Sequence, residues 1–381
     1  MKDKLEQTVH GGGTELRSSN LELLRILSML AIIAHHYVVN SGITEQYDYV
    51  HVTQNMIFLQ FWGMWGKTAI NSFILISGYF MCTKALTIKR YLKVFLETIF
   101  YKYLIFIVLL IAGYEQITAV RLFNLLFGYF RYANGGGNFT SSFLMFYLFV
   151  PFYNLLIERM KRGQHAALCA LLFFWYTICG TFFLNGSVFG EVTWFMVLYF
   201  IAAYVRLYPC RWTESWKFAL ILLLASLVLA YASVVTVDFV GVKLGFHSTY
   251  YMVADCHKFL AFTTSLAAFI LFKNWKMPYS RLINSAAATA FGVLCIHASS
   301  DAMRTWLWKD FLKVPTYYTA PLPQLVMHAA LSVVGIYVIC SLIDCLRIRF
   351  IERPVMNWIE QKQGKIINKV SLMWNKVLDF I

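Results

Sequence analysis

The chain has 381 residues, of which 59% are hydrophobic and only 14% are charged, and its mean hydropathy is +0.60. Soluble domains contain about half apolar and about a quarter charged residues, so this composition excludes an ordinary soluble protein and favours the lipid bilayer as its solvent. Lysine and arginine outnumber aspartate and glutamate by 33 to 19, but they form short clusters between apolar stretches, which argues against nucleic acid as a partner.

Apolar segments long enough to cross a membrane recur along the whole chain. A hydrocarbon core of about 30 Å takes roughly 20 helical residues. The first segment follows basic residues as a signal peptide would, but no small-residue cleavage site follows it, so we expect it to be retained. The sequence predicts an all-α, polytopic membrane protein with about ten transmembrane helices, near 24–43, 56–81, 91–112, 140–157, 165–184, 191–208, 216–237, 250–272, 285–306 and 323–346.

The distribution of basic residues predicts the orientation, because cytoplasmic loops retain lysine and arginine. With the amino terminus inside, the segments predicted to be cytoplasmic hold 24 basic residues and the outer loops hold six. Ten spans then leave the carboxyl terminus in the cytoplasm too. The predicted parts are a cytoplasmic segment 1–22, a transmembrane domain 23–350 and a basic amphipathic tail 351–381 that lies on the anionic inner leaflet of the cell membrane.

The first predicted helix carries two ionisable residues on one face. Arg25 and His36 are eleven residues apart, which places them within about 20° of each other and about 16 Å apart along the helix axis. An arginine at this depth is also explained by snorkelling to the interface, whereas His36 lies deeper and is a functional candidate. His35 points about 80° away from Arg25, so we expect His36 to act and His35 to support it.

The second predicted helix carries a polar pair and a small-residue pair. Lys67 and Asn71 are four residues apart and share a face, which makes them candidates for binding or supporting a substrate. Ser77 and Gly78 follow, and small residues let neighbouring helices approach closely. We expect at least a packing notch at these two positions.

A basic cluster follows the second helix at the predicted cytoplasmic face. It comprises Lys84, Lys89, Arg90 and Lys93. Such a cluster is either the orientation signal alone or a binding site for an anionic group. Both interpretations carry similar weight.

Two later spans contain further ionisable side chains. Asp255, His257 and Lys258 are predicted to lie in the outer half of the eighth span, and His297 near the middle of the ninth. Ionisable groups so close together point either to a functional site or to a buried ion cluster, with equal weight.

Taken with these residues, five motifs in chain order resemble those of the acyltransferase-3 superfamily of integral-membrane acyltransferases. The match spans residues 23–354, with Cys295 at a position where the family usually has tyrosine and without the aromatic and proline residues that often follow the basic pair near Arg90. The motifs are Arg25 followed by ten residues and His36, FILISGY at 73–79, the aromatic span 194–204, FGVLCIH at 291–297, and RFIERP at 349–354.

The resemblance implies transfer of an acyl group, most often acetyl, from a coenzyme A thioester to a hydroxyl of a cell-surface or exported glycan. Arg25, Lys89 and Arg90 suit the phosphates of acyl-CoA at the cytoplasmic rim. His36 suits the role of general base, or of a residue that carries the acyl group itself. No metal is expected, because the eight cysteines contain no CxxC pair and several lie inside apolar runs.

A membrane transporter or flippase for a glycan or a lipid-linked sugar is the alternative function. Such a protein would use intramembrane charges to bind its cargo. Ion-coupled carriers tend to place carboxylates at the membrane centre, whereas the candidate residues here are mostly histidine, lysine and asparagine. The sequence therefore favours an enzyme over a transporter.

Overall fold

The computed structural model describes residues 18–131, 139–183, 190–245, 248–361, 372–374 and 376. All regular secondary structure within these ranges is helical. The main helices are α1 Ser19–Val39, α2 Gln54–Gly63, α3 Gly66–Met81, α4 Ile88–Ile111, α5 Ala119–Arg131, α6 Phe139–Arg159, α7 Arg162–Phe182, α8 Glu191–Leu207, α9 Trp216–Gly241, α10 Phe259–Asn274, α11 Arg281–Ala288, α12 Ala290–His297, α13 Asp301–Phe311 and α14 Leu322–Gln361.

Hydroxyl side chains set the start of several helices. In each case the side-chain oxygen accepts a hydrogen bond from a backbone N–H of the first turn, which satisfies a donor that the helix itself cannot. Polar residues placed just before apolar runs thus decide where these helices begin. The five caps are Thr53, Thr87, Ser215, Ser280 and Ser300, at the starts of α2, α4, α9, α11 and α13.

Within the described residues, six helices are long and apolar enough to cross a membrane, namely α1, α4, α6, α7, α9 and α14. The α11–α12 pair and α13, bent by 96°, make a seventh if they form one span. Helices α3, α8 and α10 have 16, 17 and 16 residues, and 16 residues cover only about 24 Å of a core about 30 Å thick. The structure therefore supports a multi-pass membrane protein, while the count of ten spans stays a prediction.

Helix α1 lies at the centre of the bundle and packs against α2, α3, α10, α11, α12 and α14. The predicted span 56–81 is broken beside it, between Gly63 and Gly66. A β-carbon on Gly63 would lie 2.8 Å from the Val38 side chain, and one on Gly66 would lie 2.4 Å from the His35 ring. These two glycines let the break between α2 and α3 pack directly against the carboxyl-terminal end of α1.

A buried network of charges joins α4 to α14. Arg347 donates to Asp344 at 2.6 Å and to Glu352 at 2.8 Å, and it pairs with Glu97 at 2.9 Å. Lys93 pairs with Glu352 at 2.8 Å, whereas Glu97, one turn after Lys93 on α4, pairs with Arg347. Since Asp344, Arg347 and Glu97 are buried, Arg347 compensates carboxylates that water cannot reach.

Candidate active site

Two histidines from distant parts of the chain meet near the carboxyl-terminal end of α1. Nδ1 of His36 lies 3.0 Å from Nε2 of His297, which is the last residue of α12 and precedes the 96° bend. His297 is fully buried, whereas His36 is partly exposed. A substrate therefore reaches His36 rather than His297.

The hydrogen bonds of this pair fix the positions of its protons. Nδ1 of His297 lies 2.6 Å from the carbonyl oxygen of Val293, and a carbonyl only accepts, so Nδ1 carries the proton. In neutral His297, Nε2 then holds a lone pair and accepts from Nδ1–H of His36. Nε2 of His36 is left with a lone pair and no hydrogen-bond partner among the described residues. The pair thus presents one unshared basic nitrogen to a substrate.

Two cations act electrostatically on the histidine pair. The positive charge of Arg304, from α13, acts on both His36 and His297, and that of Lys67, from α3, acts on His36. Arg304 donates to Asp301 at 2.9 Å, while its buried Nε has no partner among the described residues. The surroundings of His36 are therefore suited to stabilise negative charge that develops during a reaction.

His35 has a different environment from His36. Its Nδ1 donates to the carbonyl oxygen of Gly63 at 2.5 Å, and its ring fills the space left by Gly66. His35 therefore holds the break between α2 and α3 against α1. His35 points toward the α2–α3 break, in a different direction from His36, as the helix geometry predicts for adjacent residues.

A polar cavity of about 470 Å³ opens at the other end of α1. Arg25 and Glu22 lie in its wall, and their side chains form an ion pair at 2.5 Å. Arg206 donates to the hydroxyl of Tyr79 at 2.9 Å. The cavity is lined by Ser18, Asn20, Leu21, Glu22, Arg25, Tyr79, Phe80, Lys84, Arg206 and Lys273. Four cations and one carboxylate make this wall a suitable surface for a polyanion.

Lys89 and Arg90 do not line this cavity with Arg25. Lys89 pairs with Glu360, at the end of α14, and Arg90 donates to the backbone carbonyl of Ala85 at 3.2 Å. The structure instead brings Arg25 together with Arg206 and Lys273. Arg206 and Lys273 are among the 24 basic residues that predict only the orientation, although each lies in the last turn of a helix, α8 and α10.

The polar residues of α3 bind other parts of the protein. Asn71 is fully buried, donates to the carbonyl of Cys256 at 2.7 Å and accepts from the indole of Trp194 at 2.8 Å. Ser77 donates to the Phe73 carbonyl at 2.8 Å, and a β-carbon on Gly78 would lie 3.1 Å from Ala202. Asn71 therefore ties helices together, and Gly78 is the notch against α8 that its size predicts.

The charged group before α10 lies in a non-helical segment. Helix α10 begins at Phe259, later than the predicted 250, so Asp255, His257 and Lys258 precede it. Lys258 donates to the Gly180 carbonyl at 2.8 Å, and its Nζ lies 4.4 Å from the centre of the Tyr251 ring. Asp255 lies 3.9 Å from Lys67. Backbone contacts to α7 thus occupy Lys258, while Asp255 faces the surroundings of His36 through Lys67.

A family model described as an acyltransferase domain, that of the acyltransferase-3 family, matches residues 18–343. This range includes Arg25, the His36–His297 pair and all four cations of the cavity. No curated protein and no solved structure matches the chain. The match covers well over half of the chain.

Proposed function

The chain belongs to the acyltransferase-3 family, and from this premise we propose that it transfers an acetyl group from acetyl-CoA to a hydroxyl of a cell-surface or exported glycan. The observation that carries the proposal is the hydrogen bond between His36 and His297, which leaves a basic nitrogen unshared. Chemical analysis of the surface glycan from cells with and without this protein tests it. We expect an ester-linked acetyl group to disappear with the protein, and an unchanged glycan argues against the proposed acceptor.

In the proposed reaction, Nε2 of His36 takes the proton of the acceptor hydroxyl as the hydroxyl oxygen attacks the thioester carbonyl carbon. His297 keeps the His36 ring oriented and disperses the positive charge that the ring gains. Arg304 is our candidate to stabilise the oxyanion of the tetrahedral intermediate. The carbon–sulfur bond then breaks, the thiolate of coenzyme A leaves with the proton from His36, and the ester remains on the glycan.

We assign the donor to the cavity at the other end of α1. Its four cations suit the phosphates of coenzyme A, and Arg25 lies about 16 Å from His36 along the helix axis. This separation allows one donor molecule to hold its phosphates at Arg25 and extend its thioester toward His36. The assignment replaces Lys89 and Arg90 with Arg206 and Lys273 as partners of Arg25.

Replacing Arg206 with alanine should raise the apparent KM for acetyl-CoA by about 10–100-fold, because a hydrogen bond to a charged group contributes roughly 1.5–3 kcal/mol. The maximal rate should change little. Initial rates with purified protein at varied donor concentration measure this. Lys217→Ala is the matched control, since Lys217 is exposed and lies outside the cavity. If Arg90→Ala raises KM and Arg206→Ala does not, the donor binds at the basic cluster predicted from sequence instead.

We also propose ten spans with both termini in the cytoplasm, supported by the 24-to-6 distribution of basic residues. The cavity agrees with this arrangement, because its residues come from four helix ends that are predicted to share the cytoplasmic side. A membrane-impermeant thiol reagent added outside should label His51→Cys but not Lys161→Cys, in a background without reactive native cysteines. Labelling in the opposite order contradicts the orientation.

A further inference from the structure

Buried polar side chains meet between α2, the end of α9 and the segment before α10. Gln60 donates to one carboxylate oxygen of Asp238 at 3.1 Å, and the hydroxyl of Thr249 donates to the same oxygen at 3.3 Å. The second oxygen of Asp238 and the amide oxygen of Gln60 have no hydrogen-bond partner among the described residues. Both side chains are at most 2% exposed, and unpaired acceptors at such depth cost free energy unless something binds them.

Two phenols complete this group. The hydroxyls of Tyr47 and Tyr250 are buried and also have no partner within the described part of the chain. Tyr250 directly follows Thr249, whose hydroxyl donates to Asp238, and Tyr47 interacts electrostatically with both Tyr250 and Asp238. Burial, and then the neighbouring Tyr250, raise the pKa of the Tyr47 phenol. Its hydroxyl therefore keeps its proton and can donate a hydrogen bond.

Aromatic faces lie beside these polar atoms. The ring of Tyr47 is 5.9 Å from that of Tyr318 and 6.3 Å from that of Tyr49, measured between ring centres. The side-chain amide of Asn55 donates to the backbone carbonyl of Tyr318 at 2.7 Å and fixes this loop against α2. The faces of aromatic rings carry partial negative charge and attract the C–H groups of a sugar ring. The sugar hydroxyls can form hydrogen bonds with the two phenols, the carboxylate of Asp238 and the amide oxygen of Gln60.

Helix α2 connects this group to His35, the neighbour of the proposed base on α1. Gln60 precedes Gly63 by three residues on α2, or about 4.5 Å along the axis, and the Gly63 carbonyl accepts the hydrogen bond from His35. His35 and His36 are adjacent on α1. Gln60 is therefore nearly one helical turn from the carbonyl that binds His35, displaced toward the side where the acceptor is expected.

We propose that Gln60, Asp238, Tyr47 and Tyr250 form a binding site for a hydroxyl-rich ligand, a sugar unit of the acceptor glycan. The identity of this ligand as the acceptor rests on the proposed acyl transfer, whereas binding of a sugar at these residues does not. The site would select an acceptor by hydrogen bonds to its hydroxyls and by contact with Tyr47.

Sugar binding is measured without any donor. The probe is the oligosaccharide mixture released by partial hydrolysis of the surface polysaccharide of cells that express the protein, titrated into purified protein in nanodiscs and followed by saturation-transfer difference NMR. The test variant is the double substitution Tyr47→Phe and Tyr250→Phe, with Tyr250→Phe alone as a second variant if the double one does not fold. The control is Tyr231→Phe, since Tyr231 packs its ring on Phe61 and Trp65 at 4.6 and 5.4 Å.

We expect the native protein and Tyr231→Phe to bind the oligosaccharides and the double variant to bind them about fivefold more weakly. Unchanged binding in a folded double variant, or no binding by the native protein, overturns the site, which then holds ordered water only. Weaker binding in the variant without any acetyl transfer by the native protein supports the site and contradicts the proposed function. Acetyl transfer by the native protein together with unchanged sugar binding in the variant supports the proposed function and contradicts the sugar site.

Discussion

Replacing His36 with alanine is expected to remove acetyl transfer almost completely while the protein still folds. General base catalysis contributes about 10²–10⁴-fold to a rate, and His36 is the member of the histidine pair that is partly exposed and has an unshared nitrogen. The ester content of the surface glycan, measured in cells that carry only the variant, reports the loss. For this comparison, the membrane fraction must contain equal amounts of the variant and the native protein.

Two further histidine variants separate the roles at this site. His297→Ala should lower the transfer rate by about 10–100-fold, the range found when a residue that orients a metal-binding histidine is lost. His35→Ala should leave measurable transfer but reduce the amount of folded protein, because the bond from His35 to the Gly63 carbonyl supports the α2–α3 break. Full activity of His36→Ala, or a larger loss for His35 than for His36, contradicts these assignments.

Replacing Arg347 with alanine should prevent stable assembly of the bundle. The substitution leaves the carboxylates of Glu97, Asp344 and Glu352 without their common cation, and removing one partner of a buried ion pair costs about 3–5 kcal/mol. Helix α14 would then lose the ion pair between Arg347 and Glu97 that joins it to α4. We expect a clearly lower melting temperature in detergent and little protein in the monodisperse peak of size-exclusion chromatography.

Arg349→Ala is the matched control for this effect. Arg349 lies two residues further along the same helix but is exposed, and its guanidinium carbon lies 5.4 Å from the centre of the Phe350 ring. Its loss should change the melting temperature little. Equal melting temperatures for the Arg347 and Arg349 variants would show that the buried network does not stabilise the bundle.

Local patterns in the sequence were sufficient to predict the helical class and the different directions in which His35 and His36 point from α1. Apolar runs of about 20 residues mark helices because the bilayer cannot hydrate a free backbone. Helix periodicity separates His36 from His35, and the structure places His35 against Gly63 and Gly66 as that periodicity implies. The notch at Gly78 follows from residue size alone.

Contacts between distant parts of the chain were not predictable in this way. His36 and His297 are 261 positions apart, and Gln60 and Asp238 are 178 apart. No periodicity relates them, because the packing of whole helices brings them together. The structure also gives Asn71 and Lys258 protein partners that satisfy their polar groups. Both residues were candidates for a functional role because a polar group inside an apolar run costs free energy. Hydrogen bonds within the protein offset that cost as well as a bound substrate would.

Transfer of isotopically labelled acetyl groups in proteoliposomes distinguishes acyl transfer from transport. Purified protein is reconstituted with labelled acetyl-CoA on the side of the Arg25 cavity and surface polysaccharide on the side of His36. We predict that label accumulates in the polysaccharide as a base-labile ester with the native protein and not with His36→Ala. Movement of the sugar across the membrane without any label in it, or equal labelling by His36→Ala, would contradict acetyl transfer at the His36–His297 pair.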